Sequence, residues 1–259
     1  MVKSLKYRGN QGTRKPLFKI SQPIRCTIVK RLNRFVAEVI INGKTTKAYI
    51  NNTGRLIEYL KSGKTAFCTI IKKPQKTRYR LFAVKDENLG TIVDTYLQVK
   101  AFEKAIELGF IPWLSGFSIA GRNVRLGKSL IDYLLKCDDE SIYLEVKSAV
   151  LRKDRYAMYP DCPSLRGQRH MYELMSHVRE GGKGAIIFIA AMPRVEAFKP
   201  YRLGDQKLYE LLLKAHEAGV TIKSFSMHYN PMDSLVYLDN PNLDVILKEN
   251  ETDRTMQPT

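Results

Sequence analysis

Two acidic residues and a lysine near the middle of the chain have the types and spacing that could bind a divalent cation beside a basic group. Asp132 lies in one strand-like segment, and Glu145 and Lys147 lie in the next. Because side chains alternate between the two faces of a strand, Glu145 and Lys147 project to one side while Val146 points to the other. If the two strands pair as a hairpin, Asp132 can lie opposite Glu145.

Such a pair of carboxylates predicts a metal site. Two carboxylates that converge on one point repel each other unless a cation lies between them, and Mg²⁺ prefers oxygen ligands. Lys147 could then orient or deprotonate a water molecule aimed at a phosphodiester. The alternative is an edge hairpin with a solvated aspartate and an ordinary Glu–Lys surface pair. The neighbouring residues on both strands are apolar, which places these charges beside a buried sheet. Because a buried charge is costly unless it is compensated, this favours the metal site.

The positive charge of the chain is concentrated in its first third. The 259 residues carry a net charge of +17, yet residues 1–85 hold 21 Lys and Arg with only Glu38 and Glu58 as acidic residues. Residues 86–259 hold 22 basic and 24 acidic residues. A segment this basic attracts polyanions by releasing their counterions, so nucleic acid is the leading partner and an anionic membrane surface the alternative. A thermophilic or solubilising surface should add Glu along with Lys.

Composition also limits the class of protein. A hydrophobic content of 44% and a charged content of 27% are typical of a globular protein with one large or two smaller domains. The longest apolar run, residues 185–192, is too short to cross a bilayer, so we expect no membrane association. A reducing cytoplasm is expected, because the cysteines are scattered without a C-x-x-C pair: Cys26, Cys68, Cys137 and Cys162.

The first 85 residues are predicted to form a flexible basic arm, 1–21, and a small β-barrel, 22–85. Asn42-Gly43 between β-branched runs is a strong hairpin signal. Five short strands with one helical turn suit an OB-like barrel, which often binds single-stranded nucleic acid. The predicted strands are 24–30, 34–41, 45–50, 65–71 and 79–84, with the helical turn at 55–60.

Residues 86–247 are predicted to form an α/β domain with a mixed central sheet, followed by a polar tail, 248–259. Apolar residues at helical spacing predict a first helix that ends at Gly109. Strands followed by alternating helices and strands are typical of an α/β domain. The predicted helices are 92–108, 165–178 and 206–218, and the predicted strands are 117–124, 129–135, 142–146, 185–191 and 220–227.

The sequence resembles the PD-(D/E)xK nuclease superfamily and, within it, the SfsA (sugar fermentation stimulation protein) family. The resemblance covers nearly the whole chain after the basic arm. It rests on the segments NRFVAEV (33–39), NTGR (52–55), GFIP (109–112), SLIDY (129–133), YLEVKS (143–148), YPD (159–161) and RGQRH (166–170).

This resemblance implies an OB-like barrel joined to a nuclease-fold domain, DNA binding, and a role in regulating sugar catabolism. By position, Asp132 and Glu145 match the metal carboxylates and Lys147 the catalytic lysine. Glu103 on the first helix matches an acidic residue that completes a site for Mg²⁺ or Mn²⁺. The chain departs from the family pattern at Leu130, where an Arg is usual, and at Asp94, where an Asn is usual and the Asp could cap the helix.

Further candidate residues lie at turns and helix ends. Arg166 and Gln168 begin a helix and could bind phosphate or lie beside the metal, although a solvated helix start is the alternative. The turn at Gly54 is expected to supply an unusual backbone angle and amide groups that could cradle a phosphate, and a purely structural turn is an equal alternative. The predicted nucleic-acid contacts are Arg34, Tyr49, Asn52, Thr53, Arg55, Tyr79 and Arg166.

Two other patterns are rejected as sites. His170, Glu173 and His177 share one helical face, but His177 has no counterpart in the family pattern and no cysteine lies nearby in sequence, so zinc is disfavoured. Gly127-Lys128-Ser129 is no phosphate loop, because Gly121 is one residue too far away and a strand follows.

Two functions follow as hypotheses. In the first, the arm and barrel capture DNA, and a cation at Glu103, Asp132 and Glu145 supports hydrolysis of a phosphodiester bond. In the second, the protein binds DNA for a regulatory or architectural purpose and its nuclease fold is vestigial. A homodimer is compatible with either hypothesis.

Overall fold

The structure, a computed structural model, describes residues 14–73 and 76–247. Residues 1–13 of the predicted arm and the whole predicted tail, 248–259, lie outside the described residues. The prediction of a flexible arm is wrong for the segment that follows residue 13, because Lys15–Lys19 form strand β1. Leu17 in the middle of that strand is buried, which explains why the segment is ordered.

Five strands close into the barrel that the sequence predicts. Their order around the barrel is β6-β4-β3-β2-β5, and β5 pairs back onto β6. Asn42 and Gly43 both have positive φ, as a tight hairpin turn requires. Residues 55–60 form a turn without a helix. The strands are β2 (Ile24–Asn33), β3 (Val36–Ile41), β4 (Lys44–Tyr49), β5 (Thr65–Ile70) and β6 (Tyr79–Asp86).

The barrel passes into the second domain through strand β7 (Leu89–Ile92) and helix α1 (Thr95–Glu107). Strand β7 pairs with β6, so the helix begins three residues later than the apolar spacing predicts. Asp94 caps α1, since its carboxylate accepts a hydrogen bond of 3.1 Å from the Leu97 amide. Gly109, at φ +65, follows the end of the helix as predicted.

The second domain is built on a mixed sheet with helices on both faces. Its remaining elements are β8 (Ser118–Leu126), β9 (Ser129–Cys137), β10 (Glu140–Ser148), β11 (Leu151–Lys153), β12 (Tyr156–Tyr159), α2 (Leu165–Arg179), β13 (Gly184–Ala190), β14 (Ala197–Pro200), α3 (Gln206–Glu217), β15 (Thr221–Asn230) and β16 (Leu235–Val245). The sheet order is β8-β9-β10-β13-β15-β16-β1, with β10, β13 and β15 parallel. The predicted fold class is confirmed. Strands β11, β12, β14 and β16 lie outside the predicted segments.

The two faces of the sheet receive different helices. Phe102 of α1 packs edge-on against Tyr133 of β9 at 5.7 Å between ring centroids, so α1 covers the face to which Tyr133 points. Tyr143 of β10 meets His177 of α2 on the opposite face. Because side chains alternate along a strand, Asp132 and Glu145 point toward α2. In the described part of the chain, no helix is long and apolar enough to cross a membrane.

Candidate active site

The β9–β10 hairpin brings the two predicted carboxylates together. Tyr133 pairs with Leu144 in the antiparallel register, and the following positions are Asp132 and Glu145. The Val146 amide donates a hydrogen bond of 2.8 Å to Asp132 Oδ2. Asp132, Glu145 and Lys147 therefore share one face of the sheet, at the end of the hairpin that opens toward α2.

Glu145 lies in a nearly closed environment with two basic neighbours. It is 1% exposed. Its Oε1 lies 2.5 Å from Lys147 Nζ and 2.6 Å from His170 Nδ1 of α2. Its Oε2 is buried and has no hydrogen-bond partner among the described residues. Burial alone would raise the pKa of Glu145, but the neighbouring Lys147 and His170 outweigh it and hold that pKa below its usual value.

The pKa values of Asp132 and Lys147 are both raised, for different reasons. Burial, followed by the negative charge of Glu145, raises the pKa of Asp132 to about 6. Burial works to lower the pKa of Lys147, but the charge of Glu145 outweighs it and the Lys147 pKa is raised. The lysine is therefore a stable cation at neutral pH, and Asp132 is the carboxylate that gives up its proton least readily.

These residues suit a hard divalent cation. Glu145 Oε2 is buried without a hydrogen-bond partner among the described residues, and Asp132 lies close enough to Glu145 for their charges to interact. Across residues 14–73 and 76–247, no cluster of three or more His, Cys, Asp or Glu side chains has a metal-binding arrangement. Mg²⁺ is often held by only one or two carboxylates together with water and substrate phosphates. Asp132 and Glu145 fit that pattern of partial coordination.

The carboxylates line a cavity of about 500 Å³ between the barrel and the second domain. Both domains contribute to its wall, so neither forms it alone. The lining residues include Arg34, Phe35, Asn51, Asn52, Thr53 and Gly54 from the barrel, Thr95 from the start of α1, and Asp132, Glu145, Lys147, Asp161 and Arg166 from the second domain.

Arg31 holds the barrel side of this cavity in place. Its guanidinium donates hydrogen bonds to the carbonyl oxygens of two turns, those of Asn33 at 3.0 Å, Arg34 at 2.8 Å, Gly54 at 2.7 Å and Arg55 at 2.5 Å. Five donors in a fixed fork make Arg suited to binding several carbonyls at once. The sequence motifs include neighbours of Arg31 but gave no sign of this role.

The Asn52–Gly54 turn is more structural than predicted. Asn52 uses both ends of its amide, because Oδ1 accepts from the Gly54 amide at 2.9 Å and Nδ2 donates to the Val93 carbonyl at 3.0 Å. The unusual backbone angle expected at Gly54 is found instead at Leu56, with φ +51. Gly54 is needed for close approach, since a Cβ there would lie 2.6 Å from Asp161 Oδ2.

Asp161 joins the two sides of the cavity. It belongs to the loop between β12 and α2, and its Oδ2 accepts a hydrogen bond of 3.3 Å from the Leu56 amide of the barrel. The YPD segment that contains Asp161 carried the family resemblance without a role assigned to the aspartate. Its place in the YPD segment was the available signal.

Two predicted site residues are placed away from the cavity. Glu103 accepts hydrogen bonds from Arg122 Nε at 2.7 Å and Tyr133 Oη at 2.8 Å, on the sheet face that α1 covers. The structure therefore does not bring Glu103 together with Asp132 and Glu145, and its assignment to the metal stays a prediction. Gln168 donates from Nε2 to Asp205 at 3.0 Å and does not line the cavity, so its assignment beside the metal also stays a prediction. The Asp205 carboxylate that accepts this hydrogen bond also caps α3.

The other predicted contacts are divided between the cavity and its surroundings. Arg166 lines the cavity, and its Nε donates to His170 Nε2 at 3.3 Å. Arg55, Tyr49 and Tyr79 do not line it. Tyr49 donates to Asn51 Oδ1 at 3.2 Å, which places it just behind the wall. Tyr79 is half-buried, with the Arg78 guanidinium 5.9 Å from its ring centroid.

Comparison with known proteins identifies the family. The family model described as the sugar fermentation stimulation protein RE domain matches residues 96–233, and that of the SfsA N-terminal OB domain matches residues 29–93. This chain belongs to the sugar fermentation stimulation protein family. The predicted resemblance is thus confirmed, and the boundary between the two matched regions falls at the start of α1.

Relatives in this family are similar over most of the chain. A sugar fermentation stimulation protein homolog from Pyrococcus furiosus is 47% identical over 221 residues, 85% of this chain and 96% of the relative. A homolog from Archaeoglobus fulgidus is 42% identical over 231 residues, 89% of this chain and 99% of the relative. A solved structure of Pyrococcus furiosus SfsA in complex with Ca²⁺ has a TM-score of 0.86 and 44% identity, covering 89% of this chain and 99% of that one.

Proposed function

We propose that this member of the sugar fermentation stimulation protein family is a DNA-binding phosphodiesterase that depends on Mg²⁺ or Mn²⁺. One observation carries the proposal: Glu145 is buried at a cavity between two domains, with Lys147 on one oxygen and no hydrogen-bond partner for the other among the described residues. A buried carboxylate oxygen without a partner is costly, and a cation would remove that cost.

The residues of the cavity divide the chemistry of hydrolysis between them. A divalent cation held by Asp132 and Glu145 would supply Lewis-acid stabilisation of charge on the phosphate oxygens. Lys147, whose Nζ lies beside Glu145, could orient the attacking water and stabilise negative charge that develops on the phosphate. His170 positions Glu145 from α2. Arg166 lies where it can bind a phosphate oxygen.

Two further observations support a cation and a polyanion at this site. The related Pyrococcus furiosus structure is a Ca²⁺ complex, and Ca²⁺, like Mg²⁺, takes oxygen ligands. Residues 1–85, which include the barrel, hold nearly half of the basic residues, and the barrel supplies one wall of the cavity. We infer that the barrel binds the DNA backbone and guides it to the carboxylates.

The second candidate function is DNA binding without cleavage. It is favoured by the position of Glu103 on the opposite sheet face, which leaves the two carboxylates of the hairpin without the third predicted ligand. It is also favoured by Leu130, which is exposed two residues before Asp132 at a position where the family pattern usually has an Arg.

Incubation of end-labelled DNA with the protein tests the proposal. Cleavage is expected with Mg²⁺ or Mn²⁺ and is expected to stop when EDTA removes the metal. Asp132→Asn is the matched control, because the amide oxygen can still accept from Val146 while the metal charge is lost. Metal-independent cleavage, or equal cleavage by Asp132→Asn, would refute the site. DNA binding without cleavage under any of these conditions would support the second candidate.

A further inference from the structure

The reacting groups of the proposed site are almost completely covered by protein. Glu145 is 1% exposed, and the Lys147 side chain is 11% exposed. The cavity above them, about 500 Å³, has the size of a pocket for one small ligand. A duplex carries its phosphates on the outside of a wide cylinder. Because a duplex is stiff, it can only lie across the mouth of such a recess, whereas a flexible single strand can bend into it.

One exposed aromatic ring lies in the wall of this cavity. Phe35 is 47% exposed and is held in the turn between β2 and β3. Its amide donates to Asn33 Oδ1 at 2.8 Å, and its carbonyl accepts from the Ile50 amide at 2.8 Å. The backbone is thus fixed while the ring stays half in solvent, beside Arg34. A rigid ring next to a cation is the usual platform for a nucleobase.

A second exposed ring lies at the first turn of α1. Tyr96 is 57% exposed and follows Thr95, which lines the cavity. The Arg80 guanidinium lies 5.4 Å from the Tyr96 ring centroid, and is itself held 3.6 Å from the buried Asp94 carboxylate. This cation–π contact fixes the position of the ring. Phe35 therefore lies in the cavity wall, and Tyr96 lies next to a residue of that wall without lining the cavity itself.

We propose that the cavity binds single-stranded DNA, with unpaired bases stacked on Phe35 and Tyr96 and the intervening phosphate directed toward Asp132 and Glu145. That single-stranded DNA is the substrate for cleavage rests on the proposed function. That it binds at this cavity does not. Stacking tolerates any base because every base has a π-face, so the site is selective for strand state and not for sequence. The nearby cations, Arg34 and Arg166, are placed to bind the backbone.

Fluorescence anisotropy in EDTA tests this binding separately from cleavage. The probes are a labelled oligo-dT, its duplex with oligo-dA, and an oligo-dT whose central residues are abasic. The wild-type protein is expected to bind the single strand at least roughly tenfold more tightly than the duplex. Phe35→Ala and Tyr96→Ala are each expected to weaken single-strand binding roughly fivefold to 100-fold, the range that loss of one stacked base produces.

The control variants separate stacking from general damage. Tyr172→Ala removes a comparably exposed ring from α2, where neither neighbouring residue lines the cavity, and is expected to bind as the wild type does. Tyr96→Phe keeps the ring and is expected to retain affinity. The abasic strand is expected to bind the wild type and Phe35→Ala alike.

Equal affinity of the wild type for single strand and duplex would overturn the inference, as would undiminished binding by both alanine variants. The binding assay contains no metal, so its result does not depend on cleavage. If the protein prefers the single strand but never cleaves DNA, only the proposed phosphodiesterase activity is refuted. Metal-dependent cleavage by a protein that binds duplex equally well would refute only the strand selection.

Discussion

The charges of the barrel and those of the second domain are arranged in opposite ways. In the barrel many cations, such as Arg25, Lys44 and Lys61, are exposed to solvent. In the second domain the charges of Glu145 and Lys147 are buried against each other. Exposed charges are screened by salt and each contributes little, whereas a buried pair depends on both partners. The barrel can therefore lose single charges with small effects, and the hairpin cannot.

The largest expected effect of a single substitution is that of Glu145→Gln. It removes a proposed metal ligand and leaves the buried Lys147 without its ion-pair partner. We expect cleavage to be abolished and the free energy of unfolding to fall by roughly 3–5 kcal/mol, the usual result of breaking a buried pair. Chemical denaturation and cleavage assays measure the two losses.

The double variant Glu145→Gln, Lys147→Met separates these two losses. Removing both charges should restore much of the stability, since a buried pair replaced by neutral groups is often tolerated. Cleavage should remain absent. A double variant as unstable as Glu145→Gln would mean that the pair does not explain the stability loss.

The next effect is expected for Lys147→Ala. If Lys147 orients the attacking water, single-turnover cleavage should slow by roughly 10²-fold or more. Metal affinity should be unchanged or raised, because a neighbouring positive charge is removed while Asp132 and Glu145 stay. Metal titration and cleavage on both proteins measure this. Equal rates at saturating metal would contradict the catalytic assignment.

A smaller effect is expected for Arg31→Lys, which tests how the barrel wall is held. One ammonium cannot reach the carbonyls of both turns, so stability should fall by roughly 1–3 kcal/mol. The KM for DNA should rise several-fold, while kcat at saturating DNA changes less. Arg25→Lys, an exposed change on the same strand, serves as the control. If both variants behave alike, Arg31 does not position the wall.

Single exposed cations of the barrel should matter still less. Arg25→Gln, Lys44→Gln and Lys61→Gln should each lower DNA affinity modestly. Where the replaced cation neutralises a DNA phosphate, the slope of log affinity against log salt should fall by about 1. The triple variant should combine the three changes. A triple variant with the wild-type salt slope would show that these cations do not bind DNA.

The smallest effect is expected for Asp94→Asn, a buried carboxylate outside the cavity. Burial, only partly offset by Arg80, raises the pKa of Asp94. A raised carboxyl pKa means that stability is lost as pH rises from the unfolded pKa through the folded one. Asn caps helices as well as Asp does, so the variant should melt about 2–4 °C higher at pH 8 and gain less at pH 5. Thermal unfolding at both pH values measures this, and a lower melting temperature at pH 8 would contradict it.

Local sequence patterns determined most of the fold. The apolar spacing of residues 165–178 and 206–218 specified α2 and α3 nearly to the residue, and Asn42-Gly43 specified a barrel hairpin. Strand β16 was missed, since Pro241 and two register shifts against β15 break its alternation. Strands β12 and β14 are four residues each, too short for a pattern to emerge.

The sequence by itself also determined that Asp132, Glu145 and Lys147 lie together, because alternation along two adjacent strands puts their side chains on one face of the sheet. Only the tertiary structure decided which other residues join them. It places Glu103 on the sheet face that α1 covers, and it binds the Gln168 amide to Asp205, 37 residues later. His170, Asp161 and Arg31 act across domains or elements, over separations that no local period encodes.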